Sequence, residues 1–227
     1  MMKAQTKLLA FVCAAGLLAA PLAPADAPST LSADEALKLL LAGNQRFAAG
    51  KLNSVSADEI MQRRAEIAQG QKPFAIVLCC SDSRVGPEIV FDQELGNIFV
   101  VRTAGEVLDA AGIGSIEYAV AHLGSPLLLV LGHEQCGAVK AAVADAKEPG
   151  HIADIIQAIQ PAVAKTKGQP GDPLQNAIRA NVLDVAARLR GTGPILAEKV
   201  KAGRLKIIGA TVSLTTGNVE LVPEEPK

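Results

Sequence analysis

The chain has 227 residues, of which 49% are hydrophobic and 20% charged, a balance that suits one compact domain with a sizeable core and excludes intrinsic disorder. Its formal net charge of -1 leaves no electrostatic footprint for nucleic acid or for an anionic membrane surface. Small substrates that carry little charge fit better.

The first element is a leader. Lys3 and Lys7 precede an apolar stretch from Leu8 to Ala20, and a Pro- and Ala-rich segment, Pro21 to Pro28, follows with small residues at the usual cleavage spacing. This pattern predicts a secretory signal peptide over residues 1–25, cut after Ala25, and an exported, periplasmic chain. The apolar run is shorter than the roughly 20 residues that span a bilayer, so no stable membrane anchor is expected. Cleavage leaves 20 basic against 23 acidic residues and removes Cys13. Cys79, Cys80 and Cys136 remain, an odd number and too few for a disulfide framework, so metal ligation is the leading reason for their presence.

Residues 26–70 read as an N-terminal helical arm. Ser32 caps a helix through Ala36, Leu37 and Leu39 to Leu41, and Ser56 with Glu59 caps a second through Ile60 and Ile67. Residues 71–227 then alternate strands with helices. Pro73 opens the apolar run Phe74 to Cys80, Ile98 to Val101 ends at Arg102, Leu127 to Leu131 ends at Gly132-His133, and Leu205 to Ala210 comes last. Helices fit from Ser115 to about His122, from Cys136 to about Ala146, and from Pro173 to Leu189, with Gln169 to Pro173 as a linker between helices. Continuous apolar strands alternating with helices predict an α/β fold: a mainly parallel sheet of about four strands, with room for one more at an edge, covered by helices on both faces.

Sites in such sheets form beyond the carboxyl ends of the strands. Two polar breaks fall there: Cys80-Ser81-Asp82-Ser83-Arg84 and His133-Glu134-Gln135-Cys136. If their strands are adjacent, Cys80, His133 and Cys136 meet as the two sulfurs and one imidazole that zinc takes in tetrahedral geometry. Asp82 or water would fill the fourth position. With water there, zinc makes hydroxide available near neutral pH. Arg84 can clamp Asp82 with two parallel hydrogen bonds, so that Asp82 either orients the hydroxide or, released, closes the metal.

These two motifs, read on through Val85 and from Gly132 to Val139, closely resemble the signature of the β-class carbonic anhydrases. Gln71-Lys72-Pro73, Phe99 to Arg102 with Ala104-Gly105, and Gly114 to Val120 extend the likeness over Leu39 to Gly209. The resemblance implies reversible hydration of carbon dioxide to bicarbonate and a proton. It further implies zinc on Cys80, His133 and Cys136, an Asp82 and Arg84 dyad, Asp82 as a ligand in the closed form only, and a homodimer or dimer of dimers. It also implies that Gln71, Phe99, Ala104, Tyr118 and the Gly137 amide form a substrate pocket near the dimer interface. Thr103 and Glu106 depart from the family's asparagines, the stretch Thr211 to Gly217 lacks its usual tyrosine and aspartate, and Val77 replaces the tryptophan of bicarbonate-regulated members, which favours an open form.

Three other readings share these residues. A structural zinc closed by Asp82 predicts metal without turnover, a relative with the same fold would hydrolyse carbon disulfide or carbonyl sulfide, and a thiol redox centre would need a close Cys80 and Cys136 pair without metal. Cys79 reads as a small buried hydrophobe, His122 and His151 as ordinary surface histidines, and Arg102 equally as an ion-pair partner or an attractor of bicarbonate.

Overall fold

A computed structural model describes residues 31–224; the expected signal peptide lies outside them. Helix α1, Ala33–Ala48, and helix α2, Ala57–Ile67, each begin with a complete capping box, Ser32 with Glu35 and Ser56 with Glu59. The serine hydroxyl accepts from the glutamate amide while the glutamate carboxylate accepts from the serine amide, which satisfies two end donors at once. Within the expected arm the two helices differ. Ala36 and Leu40 of α1 are buried in the same core as the sheet, whereas α2 buries no residue.

Three further ties hold α1 down. The buried Asn44 side chain donates to the carbonyls of Val90 and Gly217 and accepts from the Val219 amide. Arg46 pairs with Asp92. Gly43 packs so close to the chain that a Cβ there would lie 1.7 Å from the Phe91 carbonyl oxygen.

The sheet has five strands: β1, Ala75–Cys79; β2, Ile98–Arg102; β3, Leu127–His133; β4, Lys206–Val212; and β5, Val219–Leu221. Their order is β2-β1-β3-β4-β5, parallel except for β5, which runs antiparallel at one edge. Side chains of β1 and β3 alternate between two apolar layers, because successive residues of a strand face opposite sides. Ala75, Val77, Cys79, Leu127, Leu129 and Leu131 face one layer, and Ile76, Leu78, Leu128 and Val130 the other.

The first layer is closed by α1, by α5, Gly137–Val143, and by α6, Ile152–Thr166. The second is closed by α4, Ala110–Ala121, and α8, Ile195–Lys201. Helix α7, Pro173–Gly191, contributes Ala177 and Ile178 to the first layer and Val182, Ala186 and Leu189 to the second. A short helix α3, Pro87–Val90, follows the first polar break.

Sequence periodicity did not reveal α6 or α8, and it started α4 late. Pro161 lies inside α6 with its side chain on the exposed face, so the apolar residues Ile156, Ile159 and Ala162 still reach the core. Helix α4 is capped by Asp109, whose side chain accepts from the Gly112 amide at 2.6 Å. The glycines of that first turn hide the start. Among the described residues no helix is long and apolar enough to cross a membrane.

Candidate metal centre

Strands β1 and β3 are neighbours, with Cys79 level with Leu131. Cys80 therefore leaves the sheet beside the point where β3 runs on to Gly132 and His133. Gln135, at φ 53, turns the chain back so that Cys136 becomes the N-cap of α5. The ligand atoms of Cys80, His133 and Cys136 lie within 4.8 Å of one another, all three side chains are buried, and the two sulfurs are 3.9 Å apart.

The imidazole has a fixed role. Its Nδ1 lies 2.8 Å from the Glu134 carbonyl oxygen, which can only accept, so Nδ1 carries the proton. Nε2 is buried and has no hydrogen-bond partner among the described residues. A desolvated, unpaired nitrogen beside two sulfurs is costly unless an ion takes the lone pair. The donor set therefore fits a tetrahedral metal such as zinc, with a fourth position open.

Asp82 stands at that open side. Its Oδ2 is 3.9 Å from His133 Nε2, and Arg84 grips it from the same loop: Nε donates to Oδ1 at 2.8 Å and Nη2 to Oδ2 at 2.6 Å. The Arg84 guanidinium hydrogen bonds hold the Asp82 carboxyl well below the usual carboxylate range, against the opposing effect of burial. Arg102 steadies the loop from β2, donating to the carbonyls of Cys80 at 3.0 Å and Asp82 at 2.6 Å. A cleft of about 360 Å³, lined by Phe47, Val90 and Leu214 among others, opens beside Arg84.

The Cys80 thiol is shifted down, first by a hydrogen bond from Cys136 and also by the Gly105 amide, which donates to its sulfur at 3.3 Å; burial opposes the shift. Cys136 is shifted the other way by the same contact and by burial. The contact between the two sulfurs thus favours a thiolate on one of them. Cys79, one residue earlier, faces the apolar layer, and burial pushes its thiol up to about 12.

A family model described as carbonic anhydrase matches residues 75–219. Carbonic anhydrase 2 of Mycobacterium tuberculosis is 42% identical over 190 residues, which cover 82% of this chain and 91% of that protein. The chain belongs to the β-class carbonic anhydrase family. A carbonic anhydrase of Mycolicibacterium smegmatis is 41% identical over the same shares of the two chains. The solved structure of the Coccomyxa β-carbonic anhydrase in complex with acetazolamide superposes with a TM-score of 0.67 at 26% identity, covering 83% of this chain and 86% of that one.

The pocket residues named from sequence lie apart within one chain. Ala104 sits in a 3-10 turn, Ala104–Glu106, next to the amide that reaches Cys80, and Gly137 opens α5 below Cys136. Gln71 is exposed ahead of β1, at the opposite end of that strand from Cys80. Phe99 and Tyr118 stack at the β2 edge, with centroids 6.5 Å apart, and Tyr118 is 49% exposed.

Sequence reasoning noted Glu106 only as a departure from the carbonic anhydrase pattern. The structure places it in the core, at φ 44 and 1% exposed. Asn181 donates to its Oε1 at 3.0 Å and to the Gly105 carbonyl at 2.9 Å, while Oε2 has no partner. Burial first, then the charge of Cys80, pushes the Glu106 carboxyl up to about 8, with Asn181 opposing. A non-glycine residue after Thr103-Ala104-Gly105 gave no sequence signal that its side chain would turn inward.

Proposed function

We propose that this chain holds zinc on Cys80, His133 and Cys136 and catalyses the reversible hydration of carbon dioxide to bicarbonate and a proton. The observation that carries the reading is the buried, unpaired His133 Nε2 facing two sulfurs, with Asp82 held to one side by Arg84. When bound there, zinc supplies the Lewis acidity that makes water nucleophilic near neutral pH, an effect for which carbonic anhydrases are themselves the reference case.

The protein's own residues do the positioning. Asp82, kept ionised by Arg84, accepts a hydrogen bond from the attacking water and so aims its lone pair at the substrate carbon. Arg84 offsets the negative charge of the two thiolates and presents a cationic edge to the bicarbonate product. Arg102 fixes the carbonyls on either side of Ser81 and so sets the distance between ligand and dyad. The Asp82 to Arg84 clamp supports the open form over a structural metal closed by four protein ligands.

A homodimer or dimer of dimers is part of this reading. Helix α2 buries nothing and exposes Ile60 and Met61, Leu52 and Val55 are exposed just ahead of it, and Tyr118 is exposed at the β2 edge. A second copy would cover this surface and bring its Gln71, Phe99 and Tyr118 toward the first copy's site. The basic and apolar leader supports export to the periplasm, which amino-terminal sequencing of the secreted chain checks.

Stopped-flow hydration of carbon dioxide across pH, with zinc content measured on the same sample, tests the function. Zinc together with turnover is expected. Stoichiometric zinc with no turnover at any pH would leave a structural metal and remove the enzyme.

A further inference from the structure

Glu134 touches neither carbon dioxide nor the metal in the reading above, yet every polar atom of its backbone and one oxygen of its side chain are engaged. Its amide donates to the Val212 carbonyl at 3.1 Å. Its carboxylate Oε2 accepts from Ser213 Oγ at 2.9 Å and from the Leu214 amide at 3.0 Å. Its carbonyl accepts the His133 Nδ1 proton at 2.8 Å. The side chain therefore ties the turn after β3 to the turn after β4, and the same residue carries the oxygen that orients the imidazole.

We propose that Glu134 is a positioning residue for the metal centre: by anchoring its peptide unit to Ser213 and Leu214 it fixes the carbonyl that holds Nδ1 of His133, and so aims Nε2 at the ion. The geometry explains why an anchor is needed. Gln135, the next residue, sits in the left-handed region at φ 53, a conformation that needs support from its surroundings in a residue other than glycine. Without the carboxylate, Glu134 keeps only its own amide's bond to Val212, which lies in the peptide unit before the one that carries the carbonyl facing His133. A small rotation of the second peptide moves the carbonyl and swings the imidazole with it. Partners that orient a ligand histidine are worth about 10- to 100-fold in metal affinity.

The inference rests on the zinc reading, and one titration separates the two. Zinc affinity of the full chain is measured by competition with a chromophoric chelator, alongside the visible spectrum of the cobalt-loaded protein, for the parent, Glu134→Ala, Glu134→Gln and Ser213→Ala. Glu134→Ala is expected to bind zinc about 10- to 100-fold more weakly and to show an altered cobalt spectrum. Glu134→Gln is expected to restore both, because its amide oxygen can take the place of Oε2, the oxygen that accepts from Ser213 and Leu214. Ser213→Ala should move affinity the same way by a smaller factor.

A parent that binds no zinc would end the zinc reading itself. A parent that binds while Glu134→Ala matches it in affinity and spectrum would overturn the role of Glu134 alone, as would a Glu134→Gln protein as weak as Glu134→Ala. If Glu134→Ala does not fold, Ser213→Ala decides, and parent-like affinity and spectrum in that variant overturn the inference.

Discussion

Arg84 holds both oxygens of Asp82, Oδ1 through Nε at 2.8 Å and Oδ2 through Nη2 at 2.6 Å, and by doing so keeps Oδ2 3.9 Å from His133 Nε2. One ion pair thus decides whether the fourth metal position faces solvent or a carboxylate. Its value is geometric. Arg84 is about half exposed, so the pair adds little to global stability.

Arg84→Ala should therefore fold and keep its zinc, yet lose hydration activity by about 100-fold or more, the order expected when a reacting group is misplaced by about an ångström. The freed Asp82 is expected to move onto the metal. Stopped-flow rates normalised to zinc content check this, and a variant as fast as the parent would remove the dyad from the mechanism.

Cys80→Ala and His133→Ala should each abolish stoichiometric zinc binding, since two remaining ligands cannot complete a tetrahedral site. Elemental analysis after dialysis against a weak chelator reads this directly. Retention of a full equivalent of zinc in either variant would point to a different donor set.

Stripping the metal exposes a redox liability. Cys80 and Cys136 have sulfurs 3.9 Å apart, and the hydrogen bond between them favours a thiolate on one of the pair. With oxidised glutathione, the zinc-free protein should form the Cys80 to Cys136 disulfide, with release of two reduced glutathiones. Intact mass would show the loss of two hydrogens. Bound zinc should prevent the reaction, and equal oxidation with and without metal would argue against ligation by these thiols.

Glu106 gives a pH dependence whose sign follows from its surroundings. Its folded value of about 8 stands above the ordinary 4.5, so the folded chain favours the protonated carboxyl. That stabilising contribution is complete below about pH 4.5 and disappears as pH rises through 8. In the metal-free protein, stability should fall over this window by on the order of a few kcal/mol, one pKa unit being about 1.4. Glu106→Gln should flatten that part of the profile. Urea denaturation at pH 5 and pH 8.5 distinguishes the two, and identical slopes would mean that Glu106 is not the titrating group.

Gly43→Ala tests how α1 belongs to the body of the protein. The added methyl would sit 1.7 Å from the Phe91 carbonyl oxygen, a backbone atom that cannot rotate away. A loss of roughly 3 kcal/mol is expected from such overpacking. Thermal and urea unfolding measure it, and an unchanged midpoint would show that α1 docks loosely.

Legibility in the sequence varied with the range of the interaction. Three of the parallel strands could be read because each is an apolar run with a marked edge, Pro73 ahead of β1, Arg102 at the end of β2 and Gly132-His133 at the end of β3. Ser56 with Glu59 announced α2 because a capping box lies within one turn of chain. Helix α6 could not be read through Pro161, because a proline inside a helix is tolerated only where tertiary packing of the rest of the helix outweighs its cost. Glu106 gave no local sign of burial, since its partner Asn181 is 75 residues away.

The sequence by itself determined the chemistry on offer: two cysteines, a histidine, and an aspartate two residues before an arginine, each placed where an apolar run turns polar. These patterns are local, and strand and turn propensities act over a few residues. Only the tertiary structure decided that β1 and β3 lie side by side, bringing Cys80 to a turn 53 residues later in the chain. It alone gave Arg102, Glu134 and Glu106 their places around the centre. Strand order and hydrogen-bond partners are set by how whole faces pack against one another, and no stretch of a few residues encodes that.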